Sequence, residues 1–199
     1  LKVNYRTSQE IRRRADALLA ATVADVDGNE DVRRGTTSVF NGPEPKVAAC
    51  ATAAEEQDTV GRWIAETMAA GVPVGQIGLF VRDEAQLQRA VIAAEQAGQA
   101  HAVLDTIVRP ATDAIQVATM HLAKGLEFRA VAVMACDDDV LPSAERIGAA
   151  TDPGELEELL EGERRLLYVA CTRARERLLV AGVRPVSEFV RDIEGAATR

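Results

Sequence analysis

Short apolar runs alternate with longer helical patterns along almost the whole of this 199-residue chain. Seven runs have the length and composition of β-strands: residues 1–5, 46–52, 77–81, 101–104, 115–120, 130–135 and 178–181. Helical patterns lie at residues 7–20, 53–70, 84–97, about 156–172 and 186–193. Strands that are separated by helices rather than by tight turns favour a largely parallel sheet covered by helices. The sequence therefore predicts a single α/β domain over residues 1–199.

Local signals indicate where the helices begin and end. Residues 7–10 (TSQE) form a capping-box pattern, so Thr7 is expected to cap the first helix, which should extend to about Ala20. Gly71 and Gly98 follow the second and third helices and can end them in the left-handed conformation. Residues 21–45 are interrupted by glycine, asparagine and proline, which predicts a loop with one short strand at most.

The net charge of −8 is concentrated in one segment. Residues 137–163 contain ten carboxylates and one base, Arg146, so this stretch carries −9 and the rest of the chain carries +1. The simplest interpretation of the acidic stretch is a solvated loop and helix face. Nucleic-acid binding depends on local clusters of Lys and Arg, so the overall charge does not exclude it.

Several classes of protein are disfavoured by what the sequence lacks. Three cysteines without CxxC spacing and two histidines predict neither a disulfide framework nor a metal site. No apolar run approaches the roughly 20 residues that cross a bilayer, and the N-terminus has no signal pattern. We therefore expect a cytoplasmic protein without a membrane partner. Because the chain begins at Leu1 rather than Met, we also expect a piece of a longer protein.

Two segments at predicted strand ends carry more polar detail than a core requires. In residues 4–11 (NYRTSQEI), Tyr5 and Arg6 lie where a strand meets a helix, the kind of crevice at which open α/β sheets bind ligands. In residues 119–128 (TMHLAKGLEF), Gly125 would allow backbone to approach a phosphate, and Glu127 could accept from a ribose hydroxyl. A packed tyrosine, a surface arginine and an ordinary turn would explain the same residues.

The third segment, residues 161–178 (EGERRLLYVACTRARERL), places five arginines on or just beyond a helix with a leucine face. A guanidinium group is always charged, and its fork of donors matches phosphate oxygens. An arginine that reaches a transferring γ-phosphate from a second domain accelerates hydrolysis strongly. A solvated basic helix, paired with the acidic stretch before it, is the alternative for any one of these arginines.

The order and spacing of these segments resemble the C-terminal RecA-like domain of superfamily 1 DNA helicases of the UvrD/Rep/PcrA type. Residues 4–11 resemble helicase motif IV, residues 77–88 (IGLFVRDEAQLQ) motif IVa, residues 119–128 motif V and residues 163–175 (ERRLLYVACTRAR) motif VI. The resemblance implies a three-layer RecA-like fold of the P-loop NTPase-like kind. It would lack its own Walker A loop, because GxxxxGK[ST] occurs nowhere in the chain.

The resemblance also implies which residues contact a nucleotide. Tyr5 would stack on adenine, while Arg6 and Arg173 would reach the γ-phosphate as catalytic arginines. Glu127 would contact the ribose, and Gly125 would lie near the phosphates. ATP with Mg²⁺ would be bound mainly by the N-terminal RecA-like domain of the same parent protein, so the fragment alone is expected to be inactive.

Three further positions match residues that touch single-stranded DNA in this family, namely Arg82, Thr119 and His121. One departure from the family is that only residues 105–113 separate two strand-like runs where a large subdomain is often inserted, and another is the scarcity of aromatic residues for base stacking. The alternative function is a non-catalytic helicase-like module for protein interaction or DNA tethering. Such a module would not need Arg6, Glu127 and Arg173 together.

Overall fold

A computed structural model describes residues 2–4, 6–19, 36–104 and 112–195. Its main sheet has six strands in the order β3-β8-β7-β4-β6-β5, and every neighbouring pair is parallel. A separate parallel pair joins β1 (Lys2–Asn4) to β2 (Thr36–Ser38). The main strands are β3 (Lys46–Cys50), β4 (Ile77–Val81), β5 (His101–Val103), β6 (Ile115–Thr119), β7 (Phe128–Val133) and β8 (Ala174–Val183). The prediction of a mostly parallel α/β fold is confirmed.

Helices cover both faces of the main sheet and complete three layers. They are α1 (Gln9–Asp16), α2 (Ala53–Ala69), α3 (Leu87–Gln96), α4 (Ala144–Ala149), α5 (Pro153–Cys171) and α6 (Glu188–Gly195), with 3-10 turns at Val74–Gln76, Glu84–Gln86 and Met120–Ala123. None of the helices in the described ranges is long and apolar enough to cross a membrane.

Alternation along the strands divides the buried residues into two cores. In β7, Val131 and Val133 join a cluster with residues of α1, α5 and α6. Ala130 and Ala132 face the other way and pack with residues of α2 and α3. Successive side chains of a strand point to opposite faces, so a strand that is apolar throughout must be covered on both sides.

The start of α1 differs from the predicted capping box. Ser8, not Thr7, caps the helix, because its hydroxyl oxygen accepts from the backbone N–H of Ile11 at 3.4 Å. The Thr7 hydroxyl instead donates to the carbonyl of Thr172, and Glu10 accepts from the N–H of Gly42. The side chains of Thr7 and Glu10 therefore bond to groups distant in sequence, and not to each other's backbone as in a capping box. The helix ends at Asp16, and the predicted end at residue 20 lies outside the described residues.

Two glycines end helices as predicted. Gly71, just beyond α2, has a φ of 87°, and Gly98, just beyond α3, has a φ of 68°. An L-residue is strained in this left-handed region because its Cβ approaches the following carbonyl oxygen, whereas glycine is not. The predicted ends of α2 and α3 are therefore confirmed.

Strand β8 is much longer than its apolar run predicted. It begins at Ala174 rather than at residue 178, and its partner β7 begins at Phe128 rather than at residue 130. Several of the added residues are charged, and two of them, Arg129 and Glu176, form a cross-strand ion pair at 2.8 Å. Opposite charges on neighbouring strands stabilise a sheet, so polar residues extend it beyond its apolar centre.

The interpretation of the acidic stretch as wholly solvated is wrong. It contains helix α4, which the sequence did not predict, and two of its carboxylates lie inside the molecule. Glu163 is fully buried, and the side chain of Asp137 is mostly buried. Each of them pairs with arginine, which is the usual condition for burying a carboxylate.

Candidate functional site

Glu127 and Arg173 lie side by side at the amino end of the main sheet, where its parallel strands begin. Each immediately precedes a strand, and the first residues of these strands, Phe128 and Ala174, are paired. The N–H of Phe128 donates to the carbonyl of Arg173 at 3.0 Å. The start of this ladder therefore brings together two residues that are distant in sequence.

Arg6 reaches the same place from a separate part of the chain. Its Nε lies 3.9 Å from Oε2 of Glu127, and the two side chains are 74% and 52% exposed. The segment after Arg6 is held against the beginning of β8, because the N–H of Ser8 donates to the carbonyl of Arg175 at 2.9 Å. Arg6, Glu127 and Arg173 thus converge at one end of the sheet, and we call them the arginine–glutamate triad.

Arg173 is held by neutral groups in this conformation. Its Nε donates to the carbonyl of Val169 at 3.1 Å, and its Nη1 donates to the carbonyl of Leu126 at 3.3 Å. Partial burial, followed by the positive charge of Arg6, lowers the pKa of Arg173, while Glu127 opposes this change. Two guanidinium groups share one carboxylate, so the triad has an excess positive charge. This arrangement can accept an anion such as a terminal phosphate.

Gly125 adopts the left-handed conformation, with a φ of 88°, and nothing lies within 4 Å of the position that a Cβ would occupy. It forms the turn that leads to Glu127, which is one of the two interpretations of this residue. Tyr5, predicted to stack on adenine, lies outside the described residues. Within those residues, no three His, Cys, Asp or Glu side chains are grouped in a way that could hold a metal ion.

The triad does not lie in the crevice that the sequence analysis expected. Ligands of open α/β sheets bind beyond the carboxyl ends of the strands, whereas the triad lies at their amino ends. Arg6 follows β1, which in the described part of the chain pairs with β2 and not with the main sheet. The expectation failed because the first strand belongs to a separate small sheet.

The three residues predicted to touch DNA lie at the opposite, carboxyl end of the sheet. Val81 of β4 pairs with Thr119 of β6, so Arg82 follows directly beside Thr119. His121 is exposed on the 3-10 turn after β6. Burial of the ring, and next the positive charge of Arg82, lower the pKa of His121. This shift favours the neutral imidazole, which can donate or accept a hydrogen bond.

Arg82 does not offer its guanidinium group at the surface. It is 5% exposed, and it donates from Nε and Nη2 to the two oxygens of Glu163, both at 2.6 Å. This bidentate pair joins the end of β4 to α5. The predicted contact between Arg82 and DNA does not fit this placement, because breaking a buried pair leaves an uncompensated charge at a cost of about 3–5 kcal/mol.

Sequence reasoning missed Glu163 and its second partner, Arg146 of α4, which donates to Oε1 of Glu163 at 2.8 Å. One signal was present. Glu163 precedes Leu167 by four residues and follows Leu160 by three, a spacing that places all three on one face of a helix. A carboxylate on a leucine face indicates a buried ion pair. The partner could not be read from the sequence, because Arg82 is 81 residues away.

Residues 119–127 connect the two ends of the sheet. The segment leaves β6 at Thr119 and enters β7 after Glu127, and these strands are parallel to β4 between them. Its 3-10 turn buries Met120 and Ala123 in the core beneath α5. A single short segment therefore carries both a predicted DNA contact and a member of the triad.

Part of the sequence matches a known protein family and several curated proteins. Residues 101–184, which include β5 to β8, match the family described as UvrD-like helicase C-terminal domain. The chain is 38% identical to the ATP-dependent DNA helicase UvrD1 of Mycobacterium leprae over 100 residues, covering 45% of this chain and 12% of that protein. It is 39% identical to the ATP-dependent DNA helicase Rep of Buchnera aphidicola over 74 residues, covering 37% and 10%. The chain thus matches a small part of the length of these relatives.

A solved structure extends the similarity to nearly the whole fold. It is the C-terminal domain of a possible DNA helicase from Lactobacillus plantarum WCFS1, with a TM-score of 0.65 and 22% identity, covering 96% of this chain and 94% of that one. At this identity the likeness concerns the fold. The family match over residues 101–184, the helicase relatives and the shared parallel sheet thus support a UvrD-like C-terminal domain.

Proposed function

We propose that this chain is the C-terminal motor domain of an ATP-dependent DNA helicase or translocase. In this proposal Arg6 and Arg173 act on ATP with Mg²⁺ that is bound mainly by the N-terminal RecA-like domain of the same parent protein. The opposite end of the sheet grips single-stranded DNA. The observation that carries the proposal is the convergence of Arg6, Glu127 and Arg173 at one end of the sheet.

The chemistry of the triad suits a γ-phosphate. Arg173 donates to two neutral carbonyls, and phosphate oxygens would be stronger acceptors for the same donors. The exposed pair between Arg6 and Glu127 contributes about 0–1 kcal/mol, so Arg6 can change partner at little cost. Glu127 would then be available to a ribose hydroxyl. Because the attraction requires the γ-phosphate, ATP favours the closed arrangement of the two domains, and hydrolysis releases it.

Movement along DNA would follow from the connection between the two ends of the sheet. Residues 119–127 link Thr119 and His121 to Glu127, and they pack beneath α5, whose last turn supplies a carbonyl to Arg173. A shift of the triad toward ATP is therefore transmitted through a short, partly buried segment. The neutral ring of His121 would contribute a hydrogen bond to the strand rather than a charge. Such coupling is a difference in affinity between two nucleotide states.

The proposal is tested by Arg173→Ala in the full-length parent protein, with DNA-stimulated ATP hydrolysis as the measurement. The expected result is a fall in turnover of about 10³-fold or more, as for other arginines that act on a γ-phosphate. Arg62→Ala is the matched control, because Arg62 is an exposed arginine of α2, on the other face of the sheet. Unchanged turnover in the Arg173 variant would instead support a non-catalytic interaction or tethering module.

A second measurement tests the division of labour between the domains. The 199-residue chain by itself should hydrolyse no ATP above background and should bind ATP weakly, because it contains no GxxxxGK[ST] loop. Rapid hydrolysis by the purified chain would contradict the proposal that another domain holds the nucleotide.

A further inference from the structure

Glu163 holds two arginines that differ in exposure. Arg82 is buried and occupies both carboxylate oxygens, while Arg146 donates to Oε1 alone and is 54% exposed. Two cations therefore share one anion. Within these three residues, the excess positive charge lies on Arg146, because Arg82 is enclosed.

This arrangement lies beside the residues predicted to grip DNA. Arg82 follows β4 next to Thr119, and the charges of Arg82, Glu163 and Arg146 all act on the His121 ring. Asp83 is a further titratable group near that ring, and it acts in the opposite direction to the arginines. Because its pKa is lowered, His121 is a poor source of positive charge. Phosphate neutralisation, which provides most of the affinity for a nucleic-acid backbone, must come from Lys or Arg.

We propose that Arg146 contacts a backbone phosphate of the single strand at the carboxyl end of β4 and β6, and that Arg82 positions it through Glu163. The inference rests on the proposed function and deepens it, since it reassigns the phosphate contact from Arg82 to a residue of α4. The buried pair fixes the carboxylate, and the carboxylate holds the guanidinium group of Arg146 in place. A donor that is already held loses less conformational entropy when it binds.

The placement of α4 supports this role. None of its six residues is buried, so the helix is held by its flanks and by the bond from Arg146 to Glu163. Leu141, just before it, is fully buried and anchors the preceding turn. The exposed helix thus presents one arginine that is bonded to the body of the domain and whose side chain is still 54% exposed. The sequence had assigned this residue to an acidic, solvated stretch.

The experiment measures binding of a fluorescein-labelled oligothymidylate of about 16 nucleotides to the full chain by fluorescence anisotropy across a salt series. Each phosphate contact on a single strand contributes about 0.7 to the slope of log K against log salt. Arg146→Ala should reduce the slope by about 0.7, and Arg146→Lys should restore it, because an ammonium group also displaces a counterion. Arg62→Ala, which removes an exposed arginine of α2, should leave the slope unchanged.

Each outcome separates the inference from the function on which it rests. Equal slopes for Arg146→Ala and Arg62→Ala would overturn the inference. In that case, weaker binding by His121→Ala would still support the proposed DNA-binding surface at the carboxyl end of the sheet. A reduced slope in both Arg146 variants would also overturn it, since the effect would come from displacement of α4 and not from lost charge. An oligonucleotide that does not bind the wild-type chain at all would contradict both proposals.

Discussion

The two ends of the parallel sheet hold arginine and glutamate in different ways. At the amino end, Arg6 and Glu127 are exposed and 3.9 Å apart, and Arg173 donates to neutral carbonyls. At the carboxyl end, Arg82 and Glu163 are buried and joined by two hydrogen bonds of 2.6 Å. The same two residue types therefore form a loose cluster at one end and a tight one at the other.

A second buried cluster strengthens the contrast. Arg89 of α3 bonds to Glu56 of α2 and, at 2.6 Å, to Asp137 after β7. The carboxylates also accept backbone N–H groups, Glu56 from Ala135 at 2.8 Å and Asp137 from Val183 at 2.6 Å. These bonds join two helices to the ends of β7 and β8. The carboxyl end of the sheet is thus braced by satisfied ion pairs at two places.

The difference in burial determines which ion pairs can exchange partners and which cannot. An exposed pair such as Arg6 with Glu127 is worth about 0–1 kcal/mol, so in the proposed function a phosphate would replace the carboxylate at little cost. Removing one member of a buried pair costs about 3–5 kcal/mol, because the other charge is left without a partner. In the proposed motor, the exposed residues at the amino end would change partner, and the buried ion pairs at the carboxyl end would stay fixed.

The largest effect on stability should come from Glu163→Ala. It should lower the free energy of unfolding by about 3–5 kcal/mol, because Arg82 would remain buried without a counter-ion. Glu127→Ala is the matched control at the amino end and should cost less than about 1 kcal/mol. Urea unfolding, followed by circular dichroism, measures both. Similar losses in the two variants would remove the distinction between a fixed end and a changeable one.

An intermediate effect is expected from Gly125→Ala in the segment that joins the two ends. Its left-handed backbone should cost about 1–2 kcal/mol for an L-residue, although no atom blocks the new methyl group. Gly148→Ala in α4 is the control, since that glycine also has open space around it but a helical backbone. It should be neutral or stabilising by up to about 1 kcal/mol. Equal effects in urea unfolding would mean that position 125 does not require the left-handed conformation.

Local sequence signals predicted what depends on neighbours in the chain. Alternating strand and helix patterns gave the parallel sheet, and Gly71 and Gly98 gave two helix ends. The motif resemblance also predicted that Arg6, Glu127 and Arg173 would meet, because strand starts that are paired bring their preceding residues together. These features require only periodicity, backbone conformation and the order of segments.

The remainder depended on partners distant in sequence. Ser8 caps α1 because Thr7 is engaged by the end of α5, and β8 extends because Glu176 meets Arg129 on its neighbour. The burial of Glu163 in α5 likewise requires Arg82 at the end of β4 as its partner. Hydrophobicity and propensity describe a residue by itself, so they treat such charges as solvent-exposed. Charged residues on the buried face of a helix are where this treatment fails.

The smallest effect is a difference in the sign of pH dependence between a buried and an exposed carboxylate. Burial, opposed by Ala135 and Arg89, raises the pKa of Glu56 above its ordinary 4.5. The folded state then holds the proton more tightly than the unfolded state. The stability that this contributes is present below about pH 4.5 and is lost as the pH rises through the folded value. The stability of the wild type relative to Glu56→Gln should therefore fall as the pH rises from below 4.5 toward neutrality.

Glu66 provides the matched comparison, because its exposed carboxylate accepts from Lys46, which lowers the pKa of Glu66. The stability of the wild type relative to Glu66→Gln should therefore increase as the pH rises toward 4.5 and then stay level. Urea unfolding at a series of pH values gives both differences. If the Glu56 difference also increased with pH, attraction to Arg89 would outweigh burial. The cluster of Arg89, Glu56 and Asp137 would then be a net source of stability at neutral pH and not a costly brace.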